Sequence, residues 1–222
     1  MLTRNDRTID DCLEVLELVQ PLGLEHVGFK DIGAPAAVLK QLTGAIHASG
    51  AVSYMEVVAT EKEACLDAAR AARDLGVRRL LGGTQVAEIL DILAGSETLY
   101  YPFAGKPSGH PTELGGLPED VEADCRAFAA AGCAGCDVLA YRATDADPLD
   151  LVRAARRGLG ADKHLIVAGA VTSFERIKAL HDAGADAFTI GTAVLEGSYA
   201  SGEGSIVGQL REVMGDCARA CS

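Results

Sequence analysis

The sequence predicts a single-domain (β/α)8 barrel spanning residues 1–222. Short runs rich in β-branched residues alternate with amphipathic, Ala- and Leu-rich stretches, and this unit occurs eight times without a linker or a low-complexity tract. Such alternation requires a mainly parallel sheet, because each strand returns through a crossover helix. Eight units favour a closed barrel with short loops. An open doubly wound α/β sheet is the alternative, but no G-x-G-x-x-G follows the first strand.

The strands are predicted from short apolar runs followed by polar or glycine residues. The first run opens the chain before Asn5, and the second is "HVGFK". The third, "VSYMEVV", and the fourth, "RLL", each follow a glycine that ends a helical stretch. In chain order the predicted strands are 1–4, 26–30, 52–58, 79–81, 98–103, 137–141, 165–168 and 187–190.

The helices are predicted from apolar residues at helical spacing, as at Leu13, Leu16 and Val19. The seventh begins at Ser173, where "SFER" is typical of a capping box. In chain order the predicted helices are 10–19, 36–48, 61–75, 86–93, 119–131, 148–158, 174–183 and 206–218.

Composition and charge narrow the partners. Twenty basic against 32 acidic residues give a net charge of −12, and no segment gathers the Lys and Arg of a nucleic-acid surface. We therefore expect neither nucleic acid nor a membrane as partner. A small phosphorylated ligand remains compatible with this charge, because screening over about 8 Å leaves local groups in control. Seven irregularly spaced cysteines and the charged residues near the N-terminus predict a cytoplasmic protein with reduced thiols.

Glycines end the last two predicted strands. The seventh strand ends in "IVAGAV" and the eighth in "TIGTAV". A phosphate bound by main-chain N–H groups needs backbone without an obstructing side chain, which glycine provides, and a helix beginning at Thr192 would add its positive end. We predict phosphate binding at Gly169, Ala170, Gly191 and Thr192. The alternative is that both glycines only turn tight loops.

The segment 165–197, "LIVAGAVTSFERIKALHDAGADAFTIGTAVLEG", resembles the last quarter of the ribulose-phosphate-binding barrels, most of all the histidine-biosynthesis isomerase and cyclase. The resemblance implies that the same four residues bind a substrate phosphate. The histidine-pathway enzymes resemble one another in holding two phosphates and in placing acids on strands one and five. Here the third strand lacks a glycine and "LYYPFAG" lacks an acid. A substrate with one phosphate is therefore expected.

Lys30 and Asp31 end the second strand in "GFKDIG". The Asp-x-Lys-x-x-Asp pattern of the orotidine-phosphate decarboxylase group is missing, because glycines stand where its acids should be. Burial at a strand end is expected to lower the pKa of Lys30, which would then serve as the nucleophile or as the electrostatic centre of the site. The alternative is an ion pair between Lys30 and Asp31 or Glu56.

Glu56 lies among apolar residues in "YMEVV", where a carboxylate is costly unless it is paired or catalytic. Asp6, after the first strand, is a second acid/base candidate, and Arg4 is a candidate ion-pair partner and substrate ligand. Gly83, in the Gly82-Gly83-Thr84 end of strand four, is a further candidate substrate contact.

The predicted loop 102–118 contains four Pro and four Gly, a mixture of rigid and mobile points that is typical of a lid, with a plain surface loop as the alternative. Lys106 would then contact substrate, and His110 would exchange protons near neutral pH. Tyr141 and Arg142, after strand six, are candidates for contacting phosphate or a sugar hydroxyl, with a peripheral salt bridge as the alternative.

These observations predict an enzyme acting on a small phosphorylated carbonyl or sugar-phosphate metabolite by lyase-, aldolase- or isomerase-type proton transfer. The predicted catalytic residues are Asp6, Lys30, Asp31, Glu56 and His110. A metal-free sugar-phosphate epimerase and a non-catalytic phosphometabolite-binding protein are the alternatives. We expect no cofactor and no metal, and the sequence leaves a homo-oligomer open.

Overall fold

Parallel strands alternate with helices along the chain, as the sequence predicts. The computed structural model describes all residues 1–222, which form two units, Met1–Pro102 and Phe103–Ser222. The prediction of one domain is not tested by this division. No helix is long and apolar enough to cross a membrane.

The first unit holds a four-stranded parallel sheet in the order β3-β4-β5-β6. A short antiparallel hairpin of β1 and β2 precedes it, and Leu2 N donates to Gly28 O of β3. The strands are β1 (Thr3–Arg4), β2 (Arg7–Thr8), β3 (His26–Lys30), β4 (Val52–Glu56), β5 (Arg79–Leu81) and β6 (Leu99–Tyr101). The helices are α1 (Cys12–Val19), α2 (Ala36–Ala48), α3 (Lys62–Leu75) and α4 (Val86–Leu93).

The second unit holds a three-stranded parallel sheet in the order β11-β10-β9 and an antiparallel hairpin of β7 and β8. The strands are β7 (Lys106–Ser108), β8 (Glu113–Gly115), β9 (Gly135–Val138), β10 (His164–Val167) and β11 (Ala187–Phe188). The helices are α5 (Pro118–Ala131), α6 (Pro148–Leu159), α7 (Phe174–Asp182), α8 (Thr192–Leu195) and α9 (Ile206–Ala220).

Predicted helices agree with the structure to within one or two residues, whereas several predicted strands were too long. The third predicted strand ends at Glu56 rather than at residue 58. The sixth ends at Val138, and Ala140–Arg142 is a 3-10 turn. At these ends the chain leaves the sheet, because parallel pairing stops there even though the residues remain apolar.

The loop 102–118 differs from the prediction, because it contains the β7–β8 hairpin. Leu114 is buried, and it bridges Ala143 while its carbonyl oxygen accepts from Thr144 N. Asp145 Oδ2 accepts from Gly116 N at 2.9 Å. The segment is therefore an ordered hairpin that rests on residues 143–145, so the prediction of a loop over 102–118 was wrong, while its role as a lid stays a prediction.

Helix ends follow the local sequence. Ser173 Oγ accepts from Arg176 N at 3.4 Å and so caps α7, but the capping-box prediction is only half right, because the third helical residue is Arg176 and not Glu. Asp147 caps α6 through the N–H groups of Leu149 and Asp150. These caps fix where the helices begin behind the strand ends that carry the candidate site.

Candidate functional site

A buried cluster of one ammonium group and two carboxylates lies at the carboxyl end of the first unit's sheet. Lys30 and Glu56 are the last residues of β3 and β4 and are partners in the parallel register. Lys30 Nζ lies 2.9 Å from Glu56 Oε1 and 2.8 Å from Asp6 Oδ1. Each of the three residues is at most 6% exposed. The structure thus brings together three of the five predicted catalytic residues.

Asp6 reaches Lys30 because the chain turns back on itself at the β1–β2 hairpin. Arg4 pairs with Arg7, so Asn5 and Asp6 form a two-residue loop. Their φ values of 49° and 57° are those of a type I′ turn, which Asn and Asp tolerate better than most residues. The turn directs the Asp6 carboxylate to Lys30, while Arg4 lies exposed on β1.

Thr8 holds this hairpin to the strand that carries Lys30. Its Oγ1 donates to Lys30 O at 2.8 Å and accepts from Lys30 N at 2.9 Å. Thr8 N donates to Ile32 O, and a Cβ on Gly33 would lie 2.3 Å from Thr8 O. A glycine at position 33 is therefore needed for the close approach of the two segments.

The charges of the cluster set the protonation state of Lys30. Burial by itself lowers the pKa of the ammonium, but Glu56 and Asp6 raise it by more, so that the pKa of Lys30 lies above its ordinary value. The expectation that burial lowers this pKa was wrong, because two carboxylates within 3 Å compensate for the lost water. Lys30 is a fixed positive charge between two acids.

Asp31 is turned away from this cluster and binds the main chain. Its Oδ1 accepts from Val58 N at 3.0 Å, and it makes no ion pair with Lys30. Burial raises the pKa of Asp31, although the Val58 hydrogen bond and Lys30 lower it in part. Of the two ion-pair partners considered for Lys30, the structure has Glu56 and not Asp31, because adjacent residues at a strand end point in different directions.

In the second unit, the strand-ending loops after β10 and β11 begin side by side. Val167 and Phe188 are register partners, and Thr189 N donates to Val167 O at 2.9 Å. The β10 loop carries two successive left-handed residues, Gly169 (φ 82°) and Ala170 (φ 55°). Gly191 has φ −145°, so its backbone conformation does not itself require glycine.

Four main-chain N–H groups of these two loops have no acceptor within the chain. Those of Gly169, Ala170, Gly191 and Thr192 donate to no main-chain or side-chain group, and all four residues are at least partly exposed. Helix α8 has only four residues, so its dipole adds little to these N–H groups. The loops can therefore offer several donors to one anion.

Arg142 lies against the β10 loop. A Cβ on Gly169 would lie 2.5 Å from Arg142 Nε, so glycine leaves the room that the guanidinium occupies. Arg142 Nη1 donates to Thr112 O of the β7–β8 turn at 3.1 Å. One side chain thus contacts both the candidate anion loop and the hairpin.

The other candidates in the second unit are less enclosed. Lys106 is exposed and pairs with Asp120 at 3.0 Å. His110 is exposed at the turn between β7 and β8. Tyr141 is half-buried beneath the guanidinium of Arg176, with 4.4 Å between Arg176 Cζ and the ring centroid. A substrate contact by any of them stays a prediction.

Gly83 of the first unit, the remaining candidate, is left-handed (φ 72°) and accepts from Tyr100 OH at 3.3 Å. Sequence reasoning missed Thr8 and Arg176. The Asn-Asp pair could have revealed the hairpin that carries Thr8. Arg176 had no comparable signal, because its partners come from the loops after β9 and β10.

No protein-family model and no curated protein matches the sequence. Solved structures do match. An orotidine 5′-phosphate decarboxylase from Pyrococcus horikoshii has a TM-score of 0.68 at 8% identity over 94% of each chain. BexX, in its complex with CysO from Amycolatopsis orientalis, has a TM-score of 0.60 at 17% identity, over 98% of this chain and 91% of that one.

A mandelate oxidase with an FMN adduct has a TM-score of 0.61 at 15% identity, over 91% of this chain and 67% of that one. These proteins are similar to the chain in fold. Together they confirm the predicted fold class, an α/β TIM barrel, and remove the open doubly wound sheet as an alternative. At such identities they leave the reaction and the residues that perform it to be argued from the chain itself.

Proposed function

We propose that the chain is an enzyme that acts on a small phosphorylated carbonyl or sugar-phosphate metabolite by metal-free proton transfer, of the lyase, aldolase or isomerase type. The observation that carries this proposal is the buried Asp6–Lys30–Glu56 cluster. Catalytic residues of TIM-barrel enzymes lie at the carboxyl ends of strands, as Lys30 and Glu56 do. A buried ion cluster is a weak source of stability, so a catalytic role accounts better for its presence.

The roles follow from charge and geometry. Glu56 is the base that takes a proton from the carbon next to a carbonyl group, since its carboxylate is buried at a strand end and lies 2.9 Å from Lys30 Nζ. Lys30 stabilises the negative charge that then develops on the carbonyl oxygen. Asp6 keeps Lys30 protonated and oriented. A raised pKa makes Lys30 a poor nucleophile, so we propose the electrostatic role over a Schiff base.

Phosphate binding belongs to the second unit in this proposal. The free N–H groups of Gly169, Ala170, Gly191 and Thr192 would receive the phosphate oxygens, with Arg142 beside them. The similarity of residues 165–197 to the ribulose-phosphate-binding barrels supports this assignment, as does the fold of an orotidine 5′-phosphate decarboxylase. We further propose that the substrate carries one phosphate.

Ligand-dependent stability tests the phosphate half of the proposal. Phosphate esters at 100 times their dissociation constant should add about 2.7 kcal/mol to the free energy of unfolding. Gly191→Glu puts a negative side chain among the donors and should abolish this gain while the protein remains folded. A gain that survives Gly191→Glu would move the site elsewhere, with Gly82 and Gly83 the next place to examine.

Borohydride trapping tests the role of Lys30. With substrate and sodium borohydride, we expect no added mass at Lys30, because a protonated amine does not form a Schiff base. A stable adduct at Lys30 would overturn the electrostatic role in favour of covalent catalysis. Two carboxylates on one ammonium group also suit a metal-free epimerase, in which Asp6 and Glu56 act on opposite faces of one carbon. Inversion at a single carbon in the product would identify it.

A further inference from the structure

Arg176 stands at an unusual place for a cation. It lies in the first turn of α7, where the helix dipole disfavours positive charge. Its guanidinium makes no ion pair; Nη1 donates to Ala170 O and the group covers the ring of Tyr141 at 4.4 Å. In a chain with 32 acidic residues, the absence of a carboxylate at this side chain calls for another role.

The partners of Arg176 come from the ends of two neighbouring strands. Tyr141 follows β9, and its hydroxyl donates to Arg176 O at 3.4 Å, so ring and guanidinium are fixed reciprocally. Ala170 follows β10. Arg176 therefore ties the loop after β10 to the 3-10 turn after β9.

Ala170 is the residue that needs such a tie. Its φ of 55° lies in the left-handed region, where the Cβ of any residue other than glycine is crowded. Asn5 and Asp6, the other non-glycine residues with positive φ, sit in a turn that suits their short polar side chains. Ala170 has no side-chain hydrogen bond to offset the crowding, so its conformation depends on what holds its carbonyl group.

We propose that Arg176 is a positioning residue of the phosphate site. By binding the Ala170 carbonyl oxygen while stacked on Tyr141, its guanidinium holds the Gly169–Ala170 loop in the left-handed conformation that leaves the two N–H groups available to an anion. This inference rests on the phosphate binding proposed above and adds a residue that does not itself touch the ligand. It also explains why a cation without a carboxylate partner is kept in the first turn of α7.

The proposal is tested by measuring the binding of inorganic phosphate to variants made in two backgrounds. Arg176→Met is made in the parent and in Ala170→Gly, because glycine adopts the left-handed conformation without support. In the parent background, we expect Arg176→Met to raise the phosphate dissociation constant about tenfold, the worth of one charge-assisted hydrogen bond. In the Ala170→Gly background, the loss should shrink to less than about threefold by the same scale.

Two further variants sharpen the reading. Lys178→Met removes an exposed cation of the same helix that pairs with Asp182, and it should leave phosphate binding unchanged. Arg176→Lys keeps the charge but not the planar group, so it should restore little of the binding. Phosphate binding is measured by titration calorimetry without urea and well below the melting temperature of each variant. Every variant is then folded, and altered stability alone does not change the dissociation constant.

Each outcome of these binding measurements either supports or overturns the positioning role of Arg176. An equal loss in both backgrounds would mean that Arg176 contacts the phosphate directly, and unchanged binding in Arg176→Met would mean that it is only structural; either overturns the proposal. If the parent does not bind phosphate, the proposed phosphate site itself fails. The midpoints of urea unfolding then test whether Arg176 positions Ala170. Arg176→Met must lower the midpoint less in the Ala170→Gly background than in the parent, and equal shifts would overturn the positioning role.

Discussion

Replacing Lys30 by Met removes the ammonium group that pairs with both carboxylates of the buried cluster. Lys30 makes both of its ion pairs at less than 3 Å, with side chains no more than 8% exposed. Removing one partner of a buried pair costs about 3–5 kcal/mol, mostly because the remaining charge stays desolvated. We therefore expect Lys30→Met to lower the free energy of unfolding by about that amount at pH 7.

The stability lost in Lys30→Met should depend on pH in a defined direction. The folded pKa of Lys30 is raised, so its contribution to the parent is fully present below the ordinary value of 10.5 and is lost only as pH rises through the folded pKa. In Lys30→Met, lowering the pH toward 5 relieves the desolvated negative charge that the lost ammonium group leaves behind in the folded state. The variant should therefore recover stability as the pH falls from 7 to 5, while the contribution of the Lys30 ammonium group to the stability of the parent stays constant.

Urea unfolding followed by far-UV circular dichroism measures both effects, and the chain offers a matched control. Lys62 pairs with Glu88 at 2.7 Å, but the two side chains are 56% and 46% exposed. Lys62→Met should change the free energy of unfolding little at any pH, because water and salt screen an exposed pair. The account of a buried, mutually dependent cluster is wrong if Lys30→Met lowers the free energy of unfolding no more than Lys62→Met does. It is also wrong if the loss of stability in Lys30→Met is as large at pH 5 as at pH 7.

Three smaller changes test other parts of the structure. Asp31→Asn keeps the acceptor for Val58 N but removes a carboxyl whose pKa is raised by burial. Because a raised folded pKa penalises only the charged form, urea titration should show a higher free energy of unfolding for the variant at pH 7. This gain should fade as the pH falls toward the ordinary pKa of Asp. Thr8→Val leaves the main-chain N–H and C=O of Lys30 without their buried partner, and urea titration should detect a loss of about 1–3 kcal/mol for each. Arg156→Met removes a 22% exposed guanidinium that binds Asp186 and three carbonyl oxygens, those of Gly160, Lys163 and Gly184. It should lower the free energy of unfolding by more than about 1.5 kcal/mol, whereas Arg153→Met, which removes an exposed pair, should lower it by less than about 1 kcal/mol. Equal losses would contradict the structural role assigned to Arg156.

Periodicity and glycine placement were sufficient to predict the fold, because they are local. Gly76 and Gly132 end α3 and α5 in the left-handed conformation, as the helix-Gly-strand pattern indicates. The β7–β8 hairpin escaped prediction because it depends on distant partners. Its strands have three residues each, and Leu114 finds its bridge to Ala143 only when the chain folds.

The candidate site divides in the same way. Position at a strand end identified Lys30 and Glu56, since a polar residue after an apolar strand is visible in the sequence. The pKa of Lys30 was not predictable, because its sign depends on how many carboxylates reach it. A type I′ turn at Asn5 and Asp6 brings in the second one.

The central claim is that the Asp6–Lys30–Glu56 cluster transfers protons to and from a phosphorylated carbonyl compound. The most direct measurement is NMR in D₂O of the parent and of Glu56→Gln with a panel of phosphorylated aldoses and ketoses. We predict deuterium at the carbon next to the carbonyl group for at least one compound, at a rate that falls about 10²- to 10⁴-fold in Glu56→Gln while the compound still binds. Tight binding of phosphate esters without deuterium incorporation across the panel would contradict the claim and identify a non-catalytic binding protein, and incorporation unaffected by Glu56→Gln would locate the chemistry outside this cluster.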